Sequence, residues 1–179
     1  DPDGVLTRYD YDLLKRNVAS TAFYGGTNGI KTTNVLDAVG RTLQTIRIGT
    51  NNTSITLGRS QYDVLGRVAA QTNALNGVTT TTYGLVGGQL YVTNTYPDGG
   101  IRIETYYRDG RLQSVTGTAV HPVEYLYGTE QDSDGTWREY TQEIKLTAAG
   151  GTNEWTKTYV DGAGNSYKTI YSAATTPFP

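Results

Sequence analysis

The phrase Tyr62-Asp63-Val64-Leu65-Gly66-Arg67 constrains this chain more than any other stretch, because it has the pattern of a strand end, a tight turn and a strand start. Asp63 suits the first position of a type I turn, where its carboxylate accepts bonds from the turn's own N–H groups. Gly66, three residues on, supplies the positive φ that returns the chain to a second strand. Tyr62 and Arg67 then face each other across the hairpin mouth, where the guanidinium can lie on the ring or reach Asp63. The phrase recurs. Leu36-Asp37-Ala38-Val39-Gly40-Arg41 repeats it with leucine for tyrosine, and Tyr11-Asp12-Leu13-Leu14-Lys15-Arg16 with lysine for glycine. Looser copies stand at 83–88, at Tyr107-Arg108-Asp109-Gly110-Arg111 (one residue shorter) and at 159–165. Arg16, Arg41 and Arg67 fall 25 and then 26 residues apart. A turn phrase at such a period indicates β-repeat units that cannot bury a core alone.

Composition supports an all-β chain. The aromatic content is almost wholly tyrosine, 15 residues against 2 Trp and 2 Phe, and there are 22 Gly. Tyrosine, threonine and valine suit a half-buried pleated surface, while glycine marks turns. No stretch shows the i, i+3, i+4, i+7 apolar stripe of a helix. Alternating segments are expected at 7–11, 17–24, 30–36, 42–48, 53–57, 68–72, 78–83, 89–96, 101–107, 111–117, 123–127, 137–146, 152–160 and 166–172. An acidic loop is expected between 127 and 137. The segments form one repeat domain over 1–172, followed by a proline-containing tail or linker at 173–179.

Net charge is -2 with 18% charged residues, so no broad basic face exists to neutralise a phosphate backbone, and nucleic acid is excluded as a partner. No apolar run is long enough to span a bilayer as a helix. The absence of cysteine excludes disulfides and thiolate metal sites. The sequence opens Asp1-Pro2-Asp3-Gly4 and has no methionine, as expected of a piece excised from a longer chain.

Tyr-Asp-x-x-Gly-Arg followed by an apolar residue and a Thr/Asn/Gly-rich stretch resembles the YD repeats of Rhs proteins, a family that includes bacterial toxin-complex shells and the teneurins. Tyr62 to Arg67 is a full match, and Leu36 to Arg41 and Tyr11 to Arg16 are near matches. The resemblance implies a curled antiparallel sheet of consecutive β-hairpins built from YD-type repeats, acting as a wall segment of a secreted or cell-surface shell. Its repeat-turn residues would be Tyr11, Asp12, Arg16, Asp37, Gly40, Arg41, Tyr62, Asp63, Gly66, Arg67, Asp109, Gly110 and Arg111. The expected partner is the remainder of a larger parent chain or another copy.

Three further features carry chemistry. His121, the only histidine, is the one candidate general acid or base, although a histidine before proline is more often a strand-edge or turn residue. Asp132 and Asp134, alternating before Gly135, echo part of a calcium loop. A bidentate glutamate is missing twelve residues on from Glu130, at Thr141, so a solvated turn without a metal is the favoured reading, with calcium as the only cofactor to consider. Tyr125, Tyr127, Trp137 and Trp155 belong to an aromatic set in the second half that could stack on sugar rings, making polysaccharide the expected ligand class if one exists. The opposing reading is that such rings ladder along the strands. A non-enzymatic module is preferred. The competing class is a polysaccharide lyase using tyrosine, histidine and arginine.

Overall fold

The computed structural model describes residues 4–24, 29–147 and 149–172. The tail expected at 173–179 lies outside the described residues. Every described element is a strand: β1 (Val5–Tyr11), β2 (Asn17–Tyr24), β3 (Gly29–Leu36), β4 (Thr42–Ile48), β5 (Ser54–Tyr62), β6 (Val68–Asn73) and β7 (Val78–Val86). They continue as β8 (Gln89–Thr95), β9 (Ile101–Tyr106), β10 (Leu112–Thr116), β11 (Val123–Gln131), β12 (Trp137–Leu146), β13 (Thr152–Val160) and β14 (Ser166–Tyr171). Strand order in the sheet is sequence order, and each recorded pairing is antiparallel. The expected all-β sheet of consecutive hairpins is therefore present. The chain falls into two compact units, residues 1–81 and 82–179, taken separately below.

One turn geometry builds both units. In the turn opening at Asp63, the Asp63 N–H donates to the Arg67 carbonyl at 2.8 Å and the Gly66 N–H donates to the Asp63 carbonyl at 2.9 Å. Gly66 takes φ +82. The same two bonds close the turns that open at Asp12, Asp37, Gly49, Asn73, Tyr96, Tyr107, Asp132, Thr147 and Asp161. In each, the fourth residue has positive φ: usually glycine, but Lys15, Asn52 and Asn76 at φ 59, 62 and 63. A type I turn followed by a left-handed residue forms a bulge that matches the strands' right-handed twist. Register shifts accordingly flank several of these turns, as between Val35 and Leu36 and between Gln61 and Tyr62.

Two expectations are corrected. The copy at 83–88 is not a repeat turn: β7 runs on to Val86, and Gly87 and Gly88, at φ 59 and 81, make the two-residue connection to β8. Paired glycines with positive φ favour that tighter hairpin over the five-residue one. The acidic loop is also shorter than expected. β11 extends through Gln131, with Glu130 opposite Arg138 and Gln131 opposite Trp137, because the alternation continues past Tyr127.

Among the described residues, neither unit has a deep core. The buried apolar side chains among them are Ala19 in the first unit and Val115 and Tyr159 in the second. Most other strand residues are half-buried, so cross-strand pairs of roughly 0.2–1 kcal/mol each must hold the sheet together. Gly117, between β10 and β11, is the tightest backbone position. At φ +128, a Cβ there would meet the Ile101 carbonyl oxygen at 2.1 Å. The two residues after it bind the same strand start: the Thr118 hydroxyl accepts from the Ile101 N–H, and the Ala119 N–H donates to the Ile101 carbonyl, both at 3.0 Å.

Strain and packing can be separated by substitution. Gly99 has φ +82 with nothing within 4 Å of an added Cβ, and asparagine already occupies that turn position at 52 and 76. Gly99→Asn is expected to change stability by less than about 0.5 kcal/mol, whereas Gly117→Ala should cost about 3 kcal/mol or more. Urea unfolding midpoints check this. Equal midpoints for the two variants would contradict it.

Candidate functional site

Several repeat-turn side chains reach from one hairpin to the next. Asp63 Oδ1 accepts the N–H groups of Leu65 and Arg67, both at 2.9 Å, while Arg67 Nε donates to Asp63 Oδ2 at 2.8 Å. Asp37 with Arg41, and Asp12 with Arg16, repeat the arrangement with Nε–Oδ2 distances of 2.6 Å. A carboxylate in the first position thus caps the turn with one oxygen and holds the arginine with the other.

The tyrosine and arginine of the phrase behave differently from the single-hairpin picture. Arg67 does reach Asp63, but the cation lying over the Tyr62 ring is Arg41 of the preceding hairpin, 4.5 Å from the centroid. Tyr62 in turn donates its hydroxyl to the Thr42 carbonyl at 3.0 Å. Arg16 likewise crosses to the second turn, its NH1 donating to the Asp37 carbonyl at 3.0 Å. Gly66 keeps the passage open, since a Cβ there would stand 3.0 Å from Arg41 NH1.

The second unit repeats this logic with altered parts. At 107–111 the turn opens on Tyr107, so Asp109 acts from the third position. Its Oδ1 accepts the Arg111 N–H at 3.0 Å and its Oδ2 accepts Arg111 Nε at 2.8 Å. Arg111 lies over Tyr127 at 4.4 Å, and Tyr127 donates to the Leu112 carbonyl at 3.0 Å, as Tyr62 does to Thr42. Tyr127 was thus placed in the aromatic set but missed as a member of the repeat. The solvated turn expected at Asp132 and Asp134 is present at 132–136, and it too belongs to the repeat, since Asp132-x-x-Gly135 carries the repeat's own spacing.

That turn has no arginine at its fifth position, and the next hairpin supplies the cations. Asp132 accepts Lys168 Nζ and the Tyr167 hydroxyl, each at 2.7 Å, and Arg138 lies 5.0 Å from the Tyr167 ring centre. On the same face Lys157 sits 3.7 Å above Tyr140 and pairs with Glu130, which also accepts the Tyr159 hydroxyl. Hydrogen bonds from Lys168, Tyr167 and the Ser133 N–H hold the Asp132 carboxyl far below its ordinary range. Asp132, one of the two calcium candidates, is therefore already engaged by an ammonium group. Asp134 bonds the Thr136 N–H at 2.8 Å and pairs with Arg138 at 3.3 Å.

The four candidate stacking residues do not share one surface. Tyr125 lies opposite Glu143 and Tyr127 opposite Thr141, on the face that also carries Trp137, whereas Trp155 lies opposite Ile144 and so points to the other face. Tyr127 borders an open groove of about 480 Å³ with Arg111, Thr129, Glu139, Thr141 and Val160. Trp137 is 68% exposed. A second groove is lined by Gly87, Gln89, Tyr107, Arg108 and Asp109. His121 is exposed in the β10–β11 connection and lines neither. Several tyrosines are made weaker acids by their surroundings. Burial and the Glu104 carboxylate push Tyr106 up to about 12, and burial also raises Tyr107, Tyr125, Tyr127 and Tyr159.

The turn carboxylates make acid stability a direct readout of their bonds. Asp12 is held below its ordinary value chiefly by the Arg16 N–H. For Asp37 and Asp63, desolvation acts upward and is outweighed by N–H and arginine bonds. Lys157 and Tyr159 lower Glu130. A carboxyl depressed on folding contributes stability above its unfolded pKa and loses it as pH falls through the folded one. The melting temperature should therefore be flat from about pH 7 to 5 and fall steeply below about pH 4. Asp132→Asn should lower the plateau and flatten the fall. An acid slope unchanged by that substitution would remove Asp132 from the account.

No family model matches the chain, and no curated protein matches it by sequence. Solved structures do match in fold. The chain aligns with the crystal structure of TcdB2-TccC3-Cdc42 at a TM-score of 0.54 and 14% identity, covering 90% of this chain and 9% of that one. It aligns with the Photorhabdus luminescens Tc holotoxin pore carrying TccC3-D651A at a TM-score of 0.50 and 12% identity, covering 94% of this chain and 10% of that one. The chain thus spans about a tenth of the length of either neighbour, and at this identity what it shares with these Tc toxin components is the fold.

Proposed function

We propose that this chain is a non-enzymatic YD/Rhs-type wall segment of a larger secreted or cell-surface protein, serving as scaffold for what that protein encloses or displays. The observation that carries the reading is the use made of the polar side chains in the repeat turns. The arginines, aspartates and tyrosines that look reactive in sequence cap their own turn or reach into the next hairpin, as Arg41, Asp63 and Tyr62 do. The fold shared with Tc toxin components, of which the chain spans about a tenth, supports the same reading.

A carbohydrate contact is the finer part of the proposal. The groove beside Tyr127 combines a ring with Arg111 and Glu139, and Trp137 stands exposed on the same face. Lyase chemistry has less support. A tyrosine base needs a pKa drawn down toward the working pH, and the shifted tyrosines move upward, while the lone histidine borders neither groove.

Affinity electrophoresis through gels loaded with neutral and acidic polysaccharides tests both parts. Retardation by at least one polysaccharide is expected, reduced several-fold by Trp137→Ala, with no unsaturated sugar ends formed. Absence of retardation throughout would remove the sugar contact and leave the scaffold. Unsaturated ends that vanish in His121→Ala would overturn the non-enzymatic reading.

A further inference from the structure

The repeat turns of the first unit carry an apolar row. In the turns at 12–16, 37–41 and 63–67, the second and third residues form the tip: Leu13–Leu14, Ala38–Val39 and Val64–Leu65. Leu13 and Val64 are fully exposed, Val39 is 76% exposed, and Leu65 and Leu14 are similarly open. Scattered exposed apolar residues are ordinary on any surface. These are not scattered. Each of the three turns joins an odd strand to the following even one, so all three lie at the same end of the unit's strands. Two strand widths separate neighbouring tips, about 10 Å. The corresponding tips of the second unit are polar or small: Arg108–Asp109, Ser133–Asp134 and Gly162–Ala163.

We propose that this row is an interface between two copies of the chain, meeting rim to rim across a twofold axis. Self-complementarity is the first support. A row of three evenly spaced apolar tips, reversed by the twofold, brings the Leu13–Leu14 tip of one copy to the Val64–Leu65 tip of the other and Val39 to Val39. Charge is the second. The carboxylates beneath the tips are already engaged by the arginines of their own turns, in Asp12–Arg16, Asp37–Arg41 and Asp63–Arg67, so contact strands none of these ions without a partner. The second unit's rim offers Arg108 and Asp109 instead, which have nothing to gain from an apolar row.

Size sets the strength. Side chains of this kind remove on the order of 100 Å² each from water, so the five exposed ones hide about 500 Å² per copy and the pair about 1,000 Å². That is the low end of a specific interface, and it implies a dimer in rapid exchange with a dissociation constant of roughly tens to hundreds of micromolar.

Sedimentation equilibrium of the 179-residue protein from about 5 to about 500 µM tests the proposal. A monomer–dimer equilibrium is expected. Leu13→Lys combined with Val64→Lys places like charges face to face and should raise the dissociation constant about tenfold or more, while Ala163→Lys on the second unit's rim leaves it unchanged. The chain lacks cysteine, so single cysteines report the orientation cleanly. Under mild oxidation Val39→Cys should form homodimers, and an equal mixture of Leu13→Cys and Val64→Cys should give mainly the mixed disulfide. A monomer throughout the range overturns the proposal, as does a dimer that survives the double lysine variant or one that Ala163→Lys breaks.

Discussion

The arginine that crosses from one hairpin to the next is the contact on which this structure most depends. An isolated two-stranded hairpin is marginal in water, and among the described residues neither unit has a core deep enough to supply the missing stability. Arg41 ties its own turn through Asp37 and covers Tyr62 in the following hairpin, and Tyr62 bonds back to Thr42. Arg111, Tyr127 and Leu112 repeat that circuit in the second unit. A planar, permanently charged guanidinium suits this role, because it can stack on a ring with its face while its edge bonds a carboxylate. Lysine in the same place would keep the charge and lose the plane.

In one turn that lacks the arginine, the cation is supplied from elsewhere. Asp132 sits in a turn whose fifth residue is Thr136, and the carboxylate is met by Lys168 and Tyr167 from β14 instead. Glu130 finds Lys157 and Tyr159 on β13. The pairs lie on half-buried faces, where each contributes modestly. The aromatic rings of the second unit are thereby bound into a network of Tyr140, Tyr159 and Tyr167, with Arg138, Lys157 and Lys168 lying over them.

Strand and turn positions were largely legible in the sequence because both depend on local chemistry. Alternation located β2, β4, β12 and β13 to the residue, and Asp-x-x-Gly located the turns at Asp37 and Asp63. What sequence did not show was non-local. Tyr62 and Arg67 are neighbours in the phrase, yet the cation over the ring comes from 21 residues earlier, at Arg41. The extension of β11 to Gln131 was hidden by an acidic stretch that resembles a loop until its charges are matched with Arg138, Lys157 and Lys168. Trp155 was grouped with Tyr125 by composition, and only the register shows that the two point away from each other.

Strand order that follows sequence order has a consequence for how such a chain comes into being. Each strand's partner is the next one made, so closing a hairpin requires only a short connection and no return of a distant segment. Structure can then accumulate from whichever end is free first, each new hairpin pairing with the strand before it. A chain delivered end-first through a narrow passage, where only a few dozen residues are free at a time, meets no topological obstacle to folding as it emerges.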